Sequence, residues 1–342
     1  MTKKVKNQSL GKAREAKQDE FYTQLSDIEN ELKHYRNHFK SKVVYCNCDD
    51  PRVSNFFHYF SYNFEKLGLK KLITTSYKSQ ERDLFSRNDS EHAVYLEYKG
   101  TRGKGNVPDP ETIGIKHLRG DGDFRSVESV ALLKKADIVV TNPPFSLFRE
   151  YLAQLITNDR KFLIVGNQNA VSYNEVFPFV KDGKIWLGHN SGDMAFKVPA
   201  YYPPRDTRYW VDADGQKWRS MGNTCWFTNL DIAKRHEELI LYKEYSPDEY
   251  PTYANYNAIE VGNASNIPRN FKGAMGVSVT FLSKFNPDQF EIVGSSKTLA
   301  KPMSALAKKG TYSQGGPRFY LSNGDGTYQR LYDRIVIKNK QA

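Results

Sequence analysis

Residues 137–145 read Asp-Ile-Val-Val-Thr-Asn-Pro-Pro-Phe, and this stretch decides the fold that the sequence predicts. The four residues from Ile138 to Thr141 are apolar or β-branched, which is typical of a central strand covered on both faces. Pro143 and Pro144 cannot donate a hydrogen bond to a neighbouring strand, so the strand must end before them. Each proline also restricts the preceding residue to extended geometry. The stretch therefore predicts a stiff loop at the carboxyl end of a buried strand, where open α/β sheets bind ligands.

The corner formed by Asn142, Pro143, Pro144 and Phe145 has the groups needed to handle a flat amine. Such an amine is a poor nucleophile when its lone pair is delocalised into a heterocycle. The side-chain oxygen of Asn142 and the carbonyl of Pro143 can accept both amine hydrogens and free that lone pair. Phe145 would then stack on the ring. A simple strand-to-helix turn is the alternative, and the strand before the corner and the helix after it favour the chemical interpretation.

Strand and helix patterns alternate on both sides of this corner. Short links between them predict a parallel, doubly wound sheet. The predicted strands cover residues 43–46, 69–77, 93–98, 138–141 and 162–165. The predicted helices cover residues 26–40, 54–67, 127–135 and 147–156.

Changes in composition along the chain indicate three regions. Residues 1–18 form a basic arm with too few apolar residues to dock firmly. Residues 19–235 hold the alternating pattern and form the predicted catalytic domain, with an insertion over about 78–117. Beyond it the alternation is lost, and tyrosine, asparagine and basic residues become frequent. We therefore expect an appended C-terminal region over 236–342 that contacts the target.

Composition favours a polyanionic partner, because the formal net charge is +11 and the isoelectric point is about 9.2. No long uncharged apolar run occurs, so we expect neither a membrane span nor a secretory signal. The three cysteines, Cys46, Cys48 and Cys225, cannot form a disulfide framework, which fits a reducing cytoplasm. Cys46 and Cys48 lack a second Cys or His pair at ligand spacing, so no metal site is predicted.

Two further loops at the predicted sheet edge carry acids. Asn47, Asp49 and Asp50 follow the first strand, where a carboxylate could hold the amino group or ribose of a nucleotide-like cofactor. No glycine-rich phosphate loop is present, which argues against a dinucleotide or triphosphate. Asp123 could accept from an adenine amine and Phe124 could cover the ring. A role as helix cap or turn residue remains open for each acid.

These residues carry a resemblance to a known family. The corner at 142–145, the pair at 123–124 and Asp-Glu-Phe-Tyr-Thr at 19–23 resemble the hallmarks of S-adenosylmethionine-dependent amino-methyltransferases. Residues 43–57 and the segments 132–148, 225–231 and 273–290 closely resemble the EcoRI-type adenine-specific DNA methyltransferases. The resemblance spans residues 19 to about 293. It implies a Rossmann-like class I methyltransferase fold, with a mainly parallel sheet, that methylates N6 of an adenine flipped out of duplex DNA.

The resemblance also implies roles for single residues. Asn142, Pro143, Pro144 and Phe145 would carry catalysis, and Phe196 would be a second aromatic wall for the target base, with core packing as its alternative. The first-strand loop departs from the wider pattern because it lacks glycines. The predicted contacts to S-adenosylmethionine are Phe21, Tyr22, Thr23, Asn47, Asp49, Asp50, Asp123, Phe124 and Asn142.

The expected partner is double-stranded DNA, together with a cognate restriction endonuclease that acts on the same site without necessarily binding this chain. We expect a monomer, because methylating one strand at a time needs no two-fold symmetry. The alternatives are an amino-methyltransferase for RNA or a protein glutamine, and a non-catalytic DNA-binding protein on a methyltransferase scaffold. The candidate DNA contacts, each of which could also be a solvated surface cation, are Arg205, Arg208, Arg219, Arg269, Lys272 and Arg318.

Overall fold

The computed structural model describes residues 21–77, 93–100, 108–200 and 202–342. The predicted basic arm and most of the predicted insertion lie outside these ranges. The chain divides into two compact units. The N-terminal unit comprises residues 1–167 and 188–230, and the C-terminal unit comprises residues 168–187 and 231–342. The segment 168–187, which the sequence pattern grouped with the catalytic domain, thus belongs to the C-terminal unit.

The N-terminal unit is built on one large sheet with helices. Its strands are β1 (Val43–Asn47), β2 (Lys71–Thr75), β3 (Val94–Tyr98), β4 (Lys116–His117), β5 (Ile138–Thr141), β6 (Lys161–Asn167), β7 (Trp186–Lys197, whose first two residues belong to the C-terminal unit), β8 (Tyr209–Val211) and β9 (Lys217–Thr228). Its helices are α1 (Leu25–Leu32), α2 (Asn55–Tyr62), α3 (Phe64–Leu67), α4 (Pro110–Ile113), α5 (Val127–Lys135) and α6 (Phe148–Thr157).

The strand order in this sheet is β4-β3-β2-β1-β5-β6-β9-β7, with β8 paired to β9. The four central strands, β2, β1, β5 and β6, run parallel. The flanking strands β3, β4, β8 and β9 pair antiparallel. The prediction of a class I methyltransferase fold is confirmed, and the parallel core carries antiparallel edges. The antiparallel strands β8 and β9 depart from the strand-helix alternation that the sequence predicted up to residue 235.

Helices cover both faces of the sheet. Trp226 and Phe227 are neighbours on β9, so their side chains point to opposite faces. Phe56 of α2 packs on Trp226 with ring centroids 6.1 Å apart. Phe148 of α6 packs on Phe227 at 4.9 Å. Helices α2 and α6 therefore lie on opposite faces, which is what a doubly wound sheet requires.

Two helices are shorter than the sequence predicted. The predicted helix over 54–67 begins as expected, because Ser54 caps α2 through the amides of Phe56 and Phe57. It is interrupted at Asn63, whose amide donates to the carbonyl of Tyr59 at 2.9 Å. The helix predicted over 26–40 ends at Leu32 and is followed by a 3₁₀ turn over Arg36–His38.

The C-terminal unit has a smaller sheet with the order β10-β11-β15-β12 and a separate hairpin of β13 and β14. Its core side chains include Met275, Val277 and Ile337. No helix in the described ranges of either unit combines the length and apolar character needed to cross a bilayer. The strands are β10 (Ile259–Val261), β11 (Met275–Ser278), β12 (Phe290–Ser295), β13 (Tyr320–Ser322), β14 (Tyr328–Arg330) and β15 (Arg334–Asn339), and the helices are α7 (Phe177–Lys181) and α8 (Ser296–Leu299).

A buried carboxylate joins α1 to β7 in the N-terminal unit. Glu31 accepts hydrogen bonds from the hydroxyl of Tyr35 at 2.8 Å and from the amide of His189 at 2.7 Å. The backbone and side-chain amides of Asn190 donate to its second oxygen at 2.8 and 2.9 Å. These four hydrogen bonds offset the cost of burying the carboxylate. The carboxylate is accommodated by Gly188, where a Cβ atom would lie 2.3 Å from the Glu31 Oε1 atom.

We predict that Gly188→Ala lowers the free energy of unfolding by about 1–3 kcal/mol, because the added methyl group must displace the Glu31 carboxylate or Trp226. Urea titration would measure the change. Gly120→Ala is the matched control, since its Cβ would meet nothing closer than 3.5 Å. Equal stability of the two variants would contradict the prediction.

Candidate active site

The ends of β1 and β5 meet where the strand order of the sheet reverses direction. β2 pairs with one side of β1 and β5 pairs with the other. In doubly wound sheets the crevice beyond the carboxyl ends of two such strands is the usual ligand site. The loop from Cys48 to Asp50 follows β1, and the Asn142 corner follows β5. The fold thus brings together two of the loops that the sequence singled out.

Asp49 joins these two strand ends from within the protein. Its backbone amide donates to the carbonyl of Thr75 at 2.9 Å. Its carboxylate accepts from the hydroxyl of Ser54 at 2.9 Å and is also hydrogen-bonded to the hydroxyl of Thr141. Asp49 is 9% exposed. Both of its carboxylate oxygens have partners, so its geometry favours holding the loop in place over contacting a cofactor.

The hydroxyl of Thr141 also lies within hydrogen-bonding distance of the carbonyl of Asn47. A hydroxyl has one proton, and a carbonyl can only accept. Both contacts are satisfied when Thr141 donates to Asn47 and a protonated Asp49 donates to Thr141. Burial raises the pKa of Asp49 to about 7, against the lowering effect of the hydrogen bond from Ser54. Geometry and burial therefore both favour the protonated acid near neutral pH.

The first-strand loop adopts a glycine-like conformation without a glycine. Cys48 has a φ of +75°, in the left-handed region that most side chains avoid. Asp50 follows, and its Oδ1 atom accepts from the amide and the Nε atom of Arg52 at 3.0 and 3.1 Å. Asn47 is buried and its side-chain oxygen accepts from the hydroxyl of Tyr151. Of these loop residues, Asp50 is the one whose half-buried carboxylate has an oxygen left to accept from a ligand.

The side chain of Asn142 is fixed at its nitrogen end. Its Nδ2 atom donates to the carbonyl of Phe21 at 2.7 Å and to the hydroxyl of Thr23 at 3.1 Å. Its Oδ1 atom is buried and has no hydrogen-bond partner among the described residues. A buried acceptor without a partner costs free energy unless a ligand supplies a donor. The amide of Asn142 is therefore oriented with its oxygen available to a donor.

The segment Phe21 to Gln24, which we call the strap, is held in place by hydrogen bonds to β7 and α2. Tyr22 forms a two-way backbone bridge with Lys197 of β7. The side-chain amide of Asn55 donates to the carbonyl of Thr23 at 2.8 Å. The side-chain amide of Gln24 donates to the carbonyl of Ala195 at 2.9 Å. The strap therefore connects Asn142 to both α2 and β7.

The predicted base-contacting aromatics lie together beside the strap. Phe21 is 5.4 Å from Phe145 and 5.6 Å from Phe196 between ring centroids. Phe145 and Phe196 are edge to face at 6.5 Å. Phe196 is fully buried, whereas Phe145 is half-buried. Tyr202, which sequence reasoning missed, extends the cluster at 6.2 Å from Phe21.

Asp123 and Phe124 follow a turn at Gly122, whose φ is +79°. The carboxylate of Asp123 accepts hydrogen bonds from the Nη2 and Nε atoms of Arg125 at 2.6 and 2.8 Å. Phe124 is buried and packs edge to face on Tyr151 with centroids 5.1 Å apart. The role of this pair in binding a cofactor adenine stays a prediction, and the structure gives both residues internal partners.

Ser76 is a further candidate that the sequence analysis missed. It lies directly after β2, beside the loop that follows β1. Its hydroxyl is buried and has no hydrogen-bond partner among the described residues. A polar residue just beyond the strand that neighbours β1 was a usable signal, because parallel strands end at the same edge of a sheet.

The six predicted DNA-contacting cations are divided equally between the two units. Arg208 is ion-paired with Asp193 at 3.2 Å, and Arg219 donates to backbone carbonyls of residues 207 and 208. Arg269 is ion-paired with Glu244, and Arg318 with Asp333 at 3.0 Å. Arg205 lies over the ring of Tyr202 at 5.8 Å, and Lys272 is exposed. Their role in DNA binding stays a prediction.

No group of three or more potential metal-ligating side chains occurs in the described ranges. The anchored amide of Asn142 lies just beyond the carboxyl end of β5, where doubly wound sheets bind ligands. Residues 9–340 match the family described as adenine-specific methyltransferase EcoRI. The chain belongs to this family. The predicted resemblance is confirmed, and the reaction of this family is the methylation of adenine.

Relatives match over most of their lengths. The type II methyltransferase M.EcoRI of Escherichia coli is 52% identical over 297 residues, which cover 86% of this chain and 90% of the relative. M.MgeORF184P of Mycoplasma genitalium is 36% identical over 345 aligned positions, covering 97% of this chain and 99% of the relative. M.MpnI of Mycoplasma pneumoniae is also 36% identical, covering 97% and 98%. No solved structure matches the chain significantly.

The protonated state of Asp49 predicts a pH dependence of stability. Its pKa is raised in the folded protein, so the folded state binds this proton more tightly than the unfolded state does. The contribution of this proton to the free energy of unfolding is full below the pKa of the unfolded state, near pH 4. It is lost as the pH rises through the pKa of the folded state, about 7. It amounts to at most about 4 kcal/mol, at roughly 1.4 kcal/mol per pKa unit.

We predict that Asp49→Asn flattens the decline in unfolding free energy between about pH 4 and pH 7. The asparagine keeps a donor for Thr141 and an acceptor for Ser54 but cannot ionise. Urea titrations across this pH range would measure the change. Asp214→Asn, at an exposed carboxylate, makes the same change of charge and serves as the control. A decline as steep in Asp49→Asn as in the unchanged protein would contradict the prediction.

Proposed function

We propose that this chain transfers a methyl group from S-adenosylmethionine to N6 of an adenine in duplex DNA, after the target nucleotide leaves the base stack. The observation that carries the proposal is the amide of Asn142. Its nitrogen is bonded to Phe21 and Thr23, and its buried oxygen has no partner among the described residues. An amine with two N–H donors is the kind of ligand that such an acceptor fits.

Asn142 and Pro143 act on the amine in this proposal. The Oδ1 atom of Asn142 and the carbonyl of Pro143 each accept one N–H of adenine N6. These two hydrogen bonds would localise the nitrogen lone pair and stabilise the positive charge that develops as N6 attacks. The new bond from N6 to the methyl carbon would replace the bond from that carbon to sulfur, with S-adenosylhomocysteine as the leaving group, and N6 would then release one proton to solvent. The acceptors are in place before the substrate arrives, because the strap fixes the amide and two prolines fix the backbone. The reaction then needs no covalent intermediate with the enzyme.

The aromatic cluster holds the base. Phe145 and Phe21 are both half-buried, and Phe145, which follows the Asn142 corner directly, would stack on the adenine ring. Phe21 and the fully buried Phe196 support Phe145 from behind, at centroid distances of 5.4 and 6.5 Å. Stacking on an aromatic side chain is worth about 1–3 kcal/mol per base. This gain offsets part of the few kcal/mol that extrusion of a base from duplex DNA costs.

The chain's own residues fit S-adenosylmethionine in the crevice between β1 and β5. The cofactor supplies an electrophilic methyl group attached to a sulfonium. Asp50 and Ser76 offer a carboxylate oxygen and a buried hydroxyl at the two loops beside β1. Phe21 and Thr23 bring the strap next to Asn142, as the family resemblance implies for the methionine end. The absence of a phosphate-binding glycine loop suits a cofactor without phosphate groups.

Duplex DNA is the proposed substrate because the net charge of +11 favours a polyanion and the relatives are named type II methyltransferases. We also propose that a cognate restriction endonuclease cuts at the same site, so that methylation protects it. The chain acts as a monomer in this proposal, since one adenine on one strand is modified in each turnover.

We predict that Asn142→Ala lowers kcat for methyl transfer by at least about 10²-fold, since it removes a preorganised acceptor. DNA binding should change by only a few fold, because the lost group touches the amine and not the backbone. Tritium transfer from labelled S-adenosylmethionine to unmethylated plasmid DNA would measure the rate, and filter binding the affinity. Asn30→Ala, at an exposed position on α1, is the control. Transfer to RNA but to no DNA would contradict the proposal.

We predict that Thr23→Val lowers kcat about 5- to 10-fold, the worth of one hydrogen bond that orients the Asn142 amide. Thr23→Ser keeps the hydroxyl and should restore the rate. The Michaelis constant for S-adenosylmethionine separates this role from cofactor binding. A raised constant with unchanged kcat would show that Thr23 contacts the cofactor and does not position Asn142.

A further inference from the structure

The C-terminal unit contains a cleft of about 900 Å³ between residues 300–309 and 312–320. Seventeen residues line it, of which four are Lys or Arg and none is Asp or Glu. The sequence explains this imbalance, since the chain has no acidic residue between Glu291 and Asp325. The cleft therefore concentrates positive charge on one part of the unit.

Three of the four cations have no acidic partner among the residues that the structure describes. Lys301, Lys308 and Lys309 are exposed, and no carboxylate in the described ranges lies within ion-pairing distance of their amines. The fourth, Arg318, is half-buried and paired with Asp333 at 3.0 Å. Elsewhere in this unit Arg334 and Arg269 are paired with Glu260 and Glu244. The three lysines are thus available to an external anion, whereas these arginines have carboxylate partners within the unit.

The cleft is held open by a buried side chain. Asn255 is 2% exposed and joins both walls. Its amide donates to the carbonyl of Lys301 at 2.9 Å and to that of Arg318 at 2.8 Å, and its oxygen accepts from the amide of Tyr320 at 3.1 Å. The shape is therefore formed before a partner binds, which reduces the entropy that binding costs.

The turn that carries two of the lysines is also ordered. Thr311 donates through its amide and its hydroxyl to the carbonyl of Lys308, at 3.2 and 2.8 Å. The amides of Leu306 and Ala307 both donate to the carbonyl of the buried Met303 at 2.9 Å. Opposite them, Arg330 donates to the carbonyl of Gly316 at 3.2 Å. The lysine amines thus extend from a backbone whose position is set.

We propose that this cleft binds the phosphodiester backbone of the duplex DNA substrate and contributes affinity without reading sequence. The inference rests on the proposed function and adds a location and a mode of contact to it. Flexible ammonium groups bind phosphates as point charges, and contacts to phosphates carry no sequence information directly. Four of the seventeen lining residues are cations and none is acidic, which favours the backbone of a polyanion.

The test is the salt dependence of DNA affinity in Lys308→Gln/Lys309→Gln. Each phosphate contact steepens the slope of log Kd against log salt concentration by about 0.9. We expect the slope to fall in magnitude by about 2. The fall should be the same on a duplex that accepts methyl groups and on one that does not. Fluorescence anisotropy over a range of NaCl concentrations would measure it.

Two matched variants complete the experiment. Lys308→Arg/Lys309→Arg keeps both charges and should restore the slope. Lys284→Gln/Lys338→Gln removes two charges from exposed positions outside the cleft and should leave the slope near that of the unchanged protein. An unchanged slope in Lys308→Gln/Lys309→Gln, or an equal fall in the control pair, would overturn the inference. A change seen with duplex RNA alone would overturn it too.

These outcomes are separate from those of the proposed function. If the unchanged protein methylates duplex DNA while Lys308→Gln/Lys309→Gln binds it with the original slope, only the role of the cleft is wrong. If the unchanged protein methylates no duplex DNA, the proposed function is wrong whatever the slopes are.

Discussion

The contact between Thr141 and Asp49 is the constraint on which the site depends. β1 and β5 are paired at only two residue positions, Val44 with Ile138 and Tyr45 with Val139. Beyond them the strand ends are held by the hydroxyl of Thr141, which meets both the carbonyl of Asn47 and the carboxyl of Asp49. The crevice for a ligand can open there because side chains replace the backbone ladder. Asn142 follows Thr141 in the chain, so this contact also fixes the backbone position from which the Asn142 side chain extends.

The strap supplies the hydrogen-bond acceptors that orient the Asn142 side chain, which the strand end does not provide. Phe21 and Thr23 precede Asn142 by about 120 residues, yet they provide both acceptors for its amide nitrogen. The strap itself depends on β7 and α2 for its position. The Asn142 side chain is therefore fixed by three separate parts of the chain. Such support outside the immediate contacts is what keeps a site within the small positional tolerance that catalysis allows.

The sequence predicted the parallel core of the fold and the residues of the corner, because buried strands and paired prolines leave strong local patterns. It missed the partners that make the corner specific. Nothing local shows that Asn142 is bonded to Phe21, or that Asp49 is bonded to Ser54 and Thr141 within the protein. The burial that raises the pKa of Asp49 likewise depends on tertiary packing. The interruption at Asn63 was also unpredicted, since one side-chain hydrogen bond competes with weak helix propensity.

The nitrogen of the Asn142 side chain acts as a donor and its oxygen as an acceptor, and this difference restricts which residue can occupy the position. The nitrogen faces the carbonyl of Phe21 at 2.7 Å. An aspartate has nearly the same shape, but it would direct an oxygen at that carbonyl and repel it. A chain with this strap therefore requires an amide at position 142, whereas a chain with a donor in place of the Phe21 carbonyl could use an acid. The choice between the two residue types is set by the backbone behind the side chain as much as by the substrate in front of it.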